Sequence, residues 1–286
     1  MSIMNKIYYL FISMTVILLS ACSQEEVEQV KEDTPALLKV MVNQSAQPST
    51  RASIKKFTTT FGDDDKIGLF AVDASGNLVY TNIPYAFHAD ENAWELDDVS
   101  KKVYYSSKFT YFAYYPYQES LSGEIKNEES DASGFFLNVI SKWEPQMDQS
   151  SWDSYIASDL MVGKGTNHNE NASVSFLMNH QMGLLLFQLF TADGGPINAE
   201  DLDPDAKYFD DFSMVDLTVT TYSVPYNDGV YFRYIGKPGK SYNFAYTITR
   251  QNGMPSKGEY TYFISDEAGT ITTVDINSLQ EFVDDN

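Results

Sequence analysis

Apolar and polar residues alternate along much of this chain with a period of two. Residues 242–248 read Tyr-Asn-Phe-Ala-Tyr-Thr-Ile, and residues 215–219 read Val-Asp-Leu-Thr-Val. Such alternation places one set of side chains on one face of a β-strand, so each segment predicts a strand with one buried face. Further apolar or aromatic runs of strand length occupy 66–72, 108–115, 135–140, 173–178, 183–190 and 259–264.

The connections between these runs are rich in turn residues. Gly, Pro and Asn punctuate the chain at 75–77, 227–229, 237–239 and 252–253. No window longer than about 12 residues holds a helical period. Many short strands with such turns predict an all-β chain of β-sandwich architecture rather than alternating βα units. The polar, Asn- and Gly-rich segment 163–171 is the best candidate for a boundary between domains at 37–165 and 172–286.

The N-terminus carries the pattern of an exported lipoprotein. Lys6 precedes an apolar run over 7–19 that is too short to span a hydrocarbon core of ~30 Å as a helix. Leu19-Ser20-Ala21-Cys22 follows, and small residues before a cut site predict a secretory signal peptide over residues 1–21. This tetrapeptide resembles the bacterial lipobox, whose cysteine is acylated after cleavage. The alternative is an ordinary signal peptide with an incidental cysteine.

The count of cysteines favours lipidation of Cys22. Cys22 is the single cysteine of the chain, so an internal disulfide cannot form, and a free thiol in an exported protein needs another explanation. Acyl chains contribute ~0.8 kcal/mol for each buried CH₂ and would hold the protein on a membrane.

The segment 22–36 predicts a polar, acidic tether with little to bury. Its acidic group Glu25, Glu26 and Glu28 is similar to the export signal that sends some Bacteroidota lipoproteins to the outer face of the cell. A plain solvated linker is the other interpretation, and both stay open.

Net charge narrows the classes of partner. The formal charge is -21, which argues against nucleic acid and against anionic lipid bound through a basic patch. A charge of this size favours solubility outside the cell and says nothing about the fold.

Candidate chemistry in the sequence is sparse. His88, His168 and His180 have no zinc-ligand spacing, and His180 reads as a structural side chain bonded to backbone at the entry to an apolar strand. The acidic run 63–65 could hold a cation, but a solvated turn before the strand at 66–72 is the better interpretation. No nucleophile elbow, phosphate loop or dinucleotide fingerprint occurs. We therefore expect no enzyme activity, no metal and no cofactor.

The aromatic segment 111–117 has two interpretations. Tyr111, Phe112, Tyr114, Tyr115 and Tyr117 fall on both faces of one predicted strand. Exposed rings could form a platform for sugars, whereas buried rings would fill a sandwich core. Because aromatic residues are spread throughout the chain, the core interpretation is favoured.

Several weak motifs occur in an order found in one family. They are the lipobox, the strand 37–42, Thr50-Arg51-Ala52, Phe61-Gly62-Asp63, 66–70, Trp94, Val103-Tyr104-Tyr105, 111–117, 158–163, 174–176, Asn179-His180 and 237–244. This order resembles the fimbrillin-like proteins of Bacteroidales, the subunits of type V pili. The C-terminal third departs most from the pattern.

The resemblance implies a fold and a way of assembly. The fold is two tandem transthyretin-like β-sandwich domains with Greek-key-type connections. Assembly would proceed by strand exchange after a trypsin-like, Arg-specific protease cuts between Arg51 and Ala52. The alternating face of Leu38, Val40 and Val42 would then leave its groove. The alternative is that Arg51 merely sits in a loop.

A strand from a neighbouring subunit would take the vacated place. The candidate donor lies near the C-terminus, where Val274 and Ile276 alternate with polar residues. The implied function is a structural or tip subunit of a cell-surface fimbria at the outer membrane, with a role in adhesion to a host or bacterial surface. A lipid-retained anchor subunit and a monomeric glycan-binding lipoprotein are the alternatives.

We expect Cys22 to carry the membrane attachment. In cells of the source bacterium, Cys22→Ala should leave the precursor uncut by the lipoprotein peptidase and abolish labelling with an acyl probe. Unchanged lipid labelling of that variant would contradict the assignment.

Overall fold

The computed structural model describes residues 35–44, 61–189, 211–213, 226–227, 231–249 and 255–276. Strands in these ranges are β1 Lys39–Gln44, β2 Lys66–Val72, β3 Leu78–His88, β4 Ala93–Leu96, β5 Thr110–Tyr115, β6 Met161–His168, β7 Ser173–His180, β8 Gly183–Leu189, β9 Asp211–Ser213, β10 Tyr226–Asn227, β11 Tyr231–Gly236, β12 Ser241–Thr249, β13 Pro255–Phe263 and β14 Ile271–Ile276. Short helices are α1 Ala132–Phe135, α2 Leu137–Lys142 and α3 Trp152–Ile156, and a 3-10 turn covers Asn169–Asn171.

The described strands form three sheets. A closed barrel has the order β1-β4-β3-β2-β5-β6-β7, a four-stranded sheet has the order β10-β11-β8-β14, and a three-stranded sheet has the order β13-β12-β9. Pairing is antiparallel except for β1 with β7 and β14 with β8. The all-β prediction is confirmed. The first sheet is a closed barrel rather than an open sandwich, and the tandem transthyretin-like arrangement stays a prediction.

Strand β5 has both faces buried. Tyr111 and Tyr115 point into the barrel, whereas Phe112 and Tyr114 point out of it, and all four are almost fully buried. The prediction that these rings fill a core is therefore confirmed, with Tyr117 partly buried beside them. Burial on both faces explains why this segment shows no alternation.

Two hydrophobic clusters result from this arrangement. The inner core fills the barrel and contains Leu38, Val40, Ile67, Leu69, Ala71, Tyr85, Trp94, Val103, Tyr111, Ala113, Tyr115, Met161, Val174, Phe176 and Met178. The outer core lies on the outside of β2 and β5 and contains Phe70, Val72, Phe112, Tyr114, Phe135, Phe136, Val139, Trp143, Tyr155, Leu160, Val162, Met182, Leu184, Leu186, Ile235 and Ile271.

Strand β8 connects the outer core to the three-stranded sheet. Leu184 and Leu186 join the outer core, while Phe187 on the opposite face meets Phe244 of β12 with ring centroids 4.8 Å apart. The run Gly-Leu-Leu-Leu-Phe is thus apolar at every position because the strand is buried on both sides. The described residues from Leu37 onward form one compact unit.

The prediction of a strand at 135–140 is wrong, because this segment lies in helices α1 and α2. Asp131 caps α1 by accepting a bond from the Gly134 N–H at 2.9 Å. Phe135, Val139 and Trp143 follow at intervals of four and are buried in the outer core. A short apolar run is compatible with a strand and with a buried helix, and here the Asp131 cap favours the helix. Among the described helices, none is long and apolar enough to cross a membrane.

The segment 163–171, the candidate domain boundary, lies in a β-hairpin. Strands β6 and β7 pair antiparallel across the turn Asn169–Asn171, and both belong to the barrel. The chain passes to the next sheet only at residues 181–182, between β7 and β8. Strand β7 therefore lies with the N-terminal strands, although the predicted boundary assigned it to the second domain. The division into two sandwich domains stays a prediction.

Most other strand predictions coincide with observed strands. The segment 66–72 is β2, and the segments at 108–115, 173–178, 183–190, 242–248 and 259–264 overlap β5, β7, β8, β12 and β13. The predicted turns at Gly76 and Gly239 are present, with φ of 83° and 72°. Glycine adopts such left-handed angles without strain. The predicted strand at 215–219 lies outside the described residues.

Gln149 protects an exposed edge of the four-stranded sheet. Among the described strands, β10 pairs with β11 only at Phe232 and Arg233, so no described strand pairs with the same edge of Ile235. The buried Gln149 side chain fills this place. Its Oε1 accepts from the Ile235 N–H at 2.8 Å, and its Nε2 donates to the Ile235 carbonyl at 2.7 Å and to the Gln146 carbonyl at 2.9 Å.

Gln149→Leu should destabilise the chain by ~2–4 kcal/mol, because it leaves the buried N–H and C=O of Ile235 unpaired. Urea unfolding followed by tryptophan fluorescence measures the change. Gln146→Leu is the matched control, since Gln146 joins this contact through its backbone carbonyl. Equal stability of the two variants would show that Gln149 does not hold the edge.

Candidate functional site

The candidate site is the groove of the barrel that β1 fills, between β4 on one side and β7 on the other. Along β7 the pairing is parallel and continuous, from Lys39↔Ser173 to Gln44↔Met178. Along β4 it is antiparallel with the register pair Val40↔Trp94. Strand β1 is thus the strand that closes the barrel. We call the space between β4 and β7 the β1 groove.

The inward face of β1 is apolar at three successive positions. Leu38 and Val40 are buried in the inner core, and Val42 packs against it while partly exposed. The outward positions Lys39 and Met41 are exposed. Sequence alternation therefore corresponds to an inward and an outward face, as a strand on a barrel surface requires.

The start of β1 is held by further backbone bonds. The Leu38 N–H donates to the Val103 carbonyl at 2.8 Å, and the Lys39 N–H donates to the Ala172 carbonyl at 3.1 Å. An isolated antiparallel bridge joins Leu37 to Tyr104. The Leu38 end of the strand is therefore bonded to two different parts of the barrel.

Aromatic rings form the floor of the groove near β4. Phe61 contacts Trp94 at 4.9 Å and Tyr115 at 5.3 Å between ring centroids, both edge to face. Phe87 contacts Trp94 at 5.2 Å. Edge-to-face aromatic pairs contribute about 0.5–1.5 kcal/mol beyond the area that they bury. Because these rings pack on one another, the position of the floor near β4 does not depend on contacts with β1 alone.

The acidic run 63–65 forms a turn, as predicted, and this turn supports the aromatic floor of the groove. The Tyr115 hydroxyl donates to Asp65 Oδ1 at 3.0 Å, and the Gly62 N–H donates to Asp65 Oδ2 at 2.7 Å. Burial raises the pKa of the Asp65 carboxyl, and these two bonds oppose the rise. Asp63 accepts from the Ala89 N–H at 2.9 Å. The carboxylates thus bond to the protein itself.

Burial also raises the pKa of the tyrosine hydroxyls in the inner core. It raises the pKa of Tyr111 to about 12 and raises the pKa of Tyr85 and Tyr115 further. These hydroxyls stay protonated at neutral pH, so the inner core carries no tyrosinate charge. Among the described residues, no group of three or more His, Cys, Asp or Glu side chains could hold a metal ion.

His180 pairs with a carboxylate at the end of β7. Its Nδ1 lies 2.8 Å from Asp159 Oδ2, and both side chains are almost fully buried. The sequence predicted a structural His bonded to backbone; the ring is buried, and the partner of its Nδ1 is the Asp159 carboxylate. His168 Nε2 lies 2.9 Å from the Ser175 hydroxyl across the β6–β7 hairpin. Both contacts tie strands of the barrel together.

The other predicted site residues lie apart from the groove or outside the described residues. Val274 is buried in β14, and Ile276 ends that strand, which pairs parallel with β8 through Val274↔Phe187 and Ile276↔Leu189. The candidate donor strand is therefore paired within its own chain. Cys22, Arg51 and Ala52 lie outside the described residues.

Sequence reasoning missed both walls of the groove. It placed β7 in the second domain, although Val174, Phe176 and Met178 line the groove beside β1. It gave Trp94 no role, although Trp94 pairs with Val40. Alternation in β7 was visible, but the pairing partner of a strand is not written in its own residues.

Comparison with known proteins assigns the chain to a family. The model of the fimbrillin-like family matches residues 50–206, which is more than half of the sequence. The chain belongs to the fimbrillin-like family. This confirms the family resemblance described above.

Two proteins of Bacteroides ovatus are similar to this fimbrillin-like chain. A curated protein named "Putative fimbrium tip subunit Fim1C" is 34% identical over 152 residues, covering 51% of this chain and 27% of the relative. The chain thus matches only part of that longer protein. A solved fimbrial protein is similar with a TM-score of 0.60 at 22% identity, covering 85% of this chain and 48% of the other. At that identity the likeness shows the fold.

Leu38→Ala in this fimbrillin-like chain should destabilise it by ~2–5 kcal/mol, because Leu38 is 6% exposed and fills the inner core. Leu37→Ala is the matched control. Leu37 is 56% exposed, so its loss should change stability by at most about 0.5 kcal/mol. Urea unfolding of both variants measures the difference, and equal midpoints would mean that β1 does not seal the core.

Proposed function

We propose that this chain is a structural or tip subunit of a cell-surface fimbria, a type V pilus, joined to its neighbours by protease-triggered donor-strand exchange. The observation that carries the proposal is that β1 closes the barrel by filling a groove between β4 and β7 with an alternating apolar face. Membership of the fimbrillin-like family supports it.

The first step is release of β1. A cut after Arg51 would separate residues 22–51 from the barrel, so β1 would be held only by noncovalent contacts. Burial of Leu38, Val40 and Val42 is worth ~1.5–3 kcal/mol for each side chain. A strand of six residues held this way is exchangeable once it is no longer attached to the rest of the chain.

The second step is capture of a strand from a neighbour. Without β1, the edges of β4 and β7 would expose unpaired N–H and C=O groups beside an apolar trench. An added strand would supply backbone bonds along β7, and its alternating side chains would set the register. The candidate donor is β14 of another copy or of a related subunit, with Val274 and Ile276. It lies at the end of its sheet beside β8, so its release would break one described ladder.

The proposed location is the outer surface of the cell. Acylated Cys22 and the tether over 22–36 would carry the precursor to the outer membrane before cleavage. Its partners are other pilus subunits, an Arg-specific trypsin-like protease, the membrane lipid and a surface ligand on a host or another bacterium. The name of the Bacteroides ovatus relative supports a place at the fimbrium tip. Fimbrial relatives, together with the sparse chemistry of the sequence, support a structural role rather than an enzyme.

Both alternatives differ from the proposed polymerising subunit in the N-terminus of the protein purified from cells. An anchor subunit or a monomeric glycan-binding lipoprotein would keep acylated Cys22, whereas a polymerising subunit would begin at Ala52. Burial of the rings at 111–115 favours the polymerising subunit over the glycan platform that this segment first suggested.

Arg51→Ala should block cleavage and keep the protein monomeric. The unaltered chain should be monomeric before cleavage and should form oligomers, or bind an added strand peptide, afterwards. Mass spectrometry of the N-terminus and light scattering of the cleaved protein measure the two steps.

Lys55→Ala is the matched control, because it removes a nearby cationic residue and leaves Arg51 in place. This variant should be cut and should assemble like the unaltered chain. A chain cut at Arg51 that stays monomeric at high concentration and takes up no strand would refute assembly by exchange.

A further inference from the structure

The inward face of β1 ends on a polar side chain. Leu38, Val40, Val42 and Gln44 occupy alternate positions, and Gln44 is the last residue of the strand. Both its Oε1 and Nε2 atoms are shielded from solvent, and neither has a hydrogen-bond partner in the described structure. A buried amide without partners costs free energy, because water satisfied it before folding.

The neighbour of Gln44 on β7 is apolar. Gln44 is in register with Met178, which is fully buried in the inner core. In a parallel ladder, residues in register place their side chains on the same face, so Gln44 lies beside the Met178 thioether, which has no donor and is only a weak acceptor. Val40 and Val42, the two inward residues before Gln44, are in register with the apolar residues Val174 and Phe176.

We propose that Gln44 is a mismatch in the β1 groove, a polar side chain in an apolar place, and that the strand which replaces β1 carries an apolar residue beside Met178. This inference rests on the proposed function, since it names the chemistry of the incoming strand. The incoming segment has an apolar residue at the position beside Met178, where β1 has an amide. Exchange is then downhill, because the last position gains an apolar contact and loses an unsatisfied amide.

The mismatch also sets where exchange begins. Gln44 is the end of β1 that leads in sequence to Arg51, so cleavage there creates a free chain end on the Gln44 side. The Leu38 end is held by bonds to Val103 and by burial in the inner core. Strand β1 therefore frays from Gln44 towards Leu38, and the place beside Met178 is the first to open to an incoming strand.

The first experiment measures release of β1 from the full chain. Residues 46–51 are replaced by the recognition sequence of a site-specific protease, which starts cleavage at a chosen time. Gln44→Leu should slow dissociation of the N-terminal fragment about tenfold, and Gln44→Met should act in the same direction. Asn43→Leu is the matched control, because Asn43 is exposed on the outward face, and it should leave the rate within about twofold.

The second experiment measures the preference of the groove. A peptide with the sequence of residues 36–45 and its Gln44→Leu form are added to the cleaved chain. The Leu form should bind about tenfold more tightly, because it removes one buried amide that has no hydrogen-bond partner in the described structure. The loss of one such group is enough to change a binding constant by a factor of about ten. Equal affinity of the two peptides, or equal release of the unaltered and Gln44→Leu fragments, would overturn the inference.

Failure of the proposed function gives a different result. If no fragment leaves any variant and no peptide binds, exchange is refuted. The thermal midpoint of the uncut chain still tests the mismatch in that case, because Gln44→Leu should raise it above the value of Asn43→Leu. An unchanged or lower midpoint for both Gln44→Leu and Gln44→Met would remove the mismatch itself.

Discussion

The parallel ladder between β1 and β7 is the contact that the barrel depends on. A barrel has no edges only if its terminal strands meet, and here they meet between residues that are distant in sequence, Lys39 and Ser173. Without this ladder the β4 and β7 edges would be open, and the inner core would lose the cover of Leu38 and Val40. The strand that completes the fold is thus the one that is attached through the segment containing Arg51.

The rest of the barrel is built so that its shape does not depend on β1 to the same extent. Strands β2 and β5 bury both faces, one in the inner core and one in the outer core. The outer core is covered by helices and by β8, which is itself buried on both sides. Strand β1 buries only one face. A strand with one buried face, on a scaffold whose strands are buried on both faces, suits the proposed exchange mechanism.

Two glutamines in this chain show opposite uses of the same side chain. Gln149 is buried with its amide bonded to both backbone groups of Ile235, so it stabilises a sheet edge at a place where no described strand pairs. Gln44 is shielded without a bond in the described structure, so it weakens the strand that carries it. The difference lies in what each amide faces, an open backbone edge or the Met178 side chain.

The sequence by itself determined the local character of the chain. Alternation predicted β12, the ordered motifs predicted the fimbrillin-like family, and that resemblance implied the inward face at Leu38, Val40 and Val42. The single cysteine and the lipobox predicted lipidation from a few adjacent residues. These inferences succeed or can be tested because each depends on residues that are close together.

Only the tertiary structure decided which strands meet. It assigned β7 to the barrel, turned the segment 135–140 into helices and brought Met178 beside Gln44. A strand with period two fits any edge of suitable register, and a short apolar run fits a helix or a strand equally well. The choice between them is made by long-range packing, which no local pattern contains.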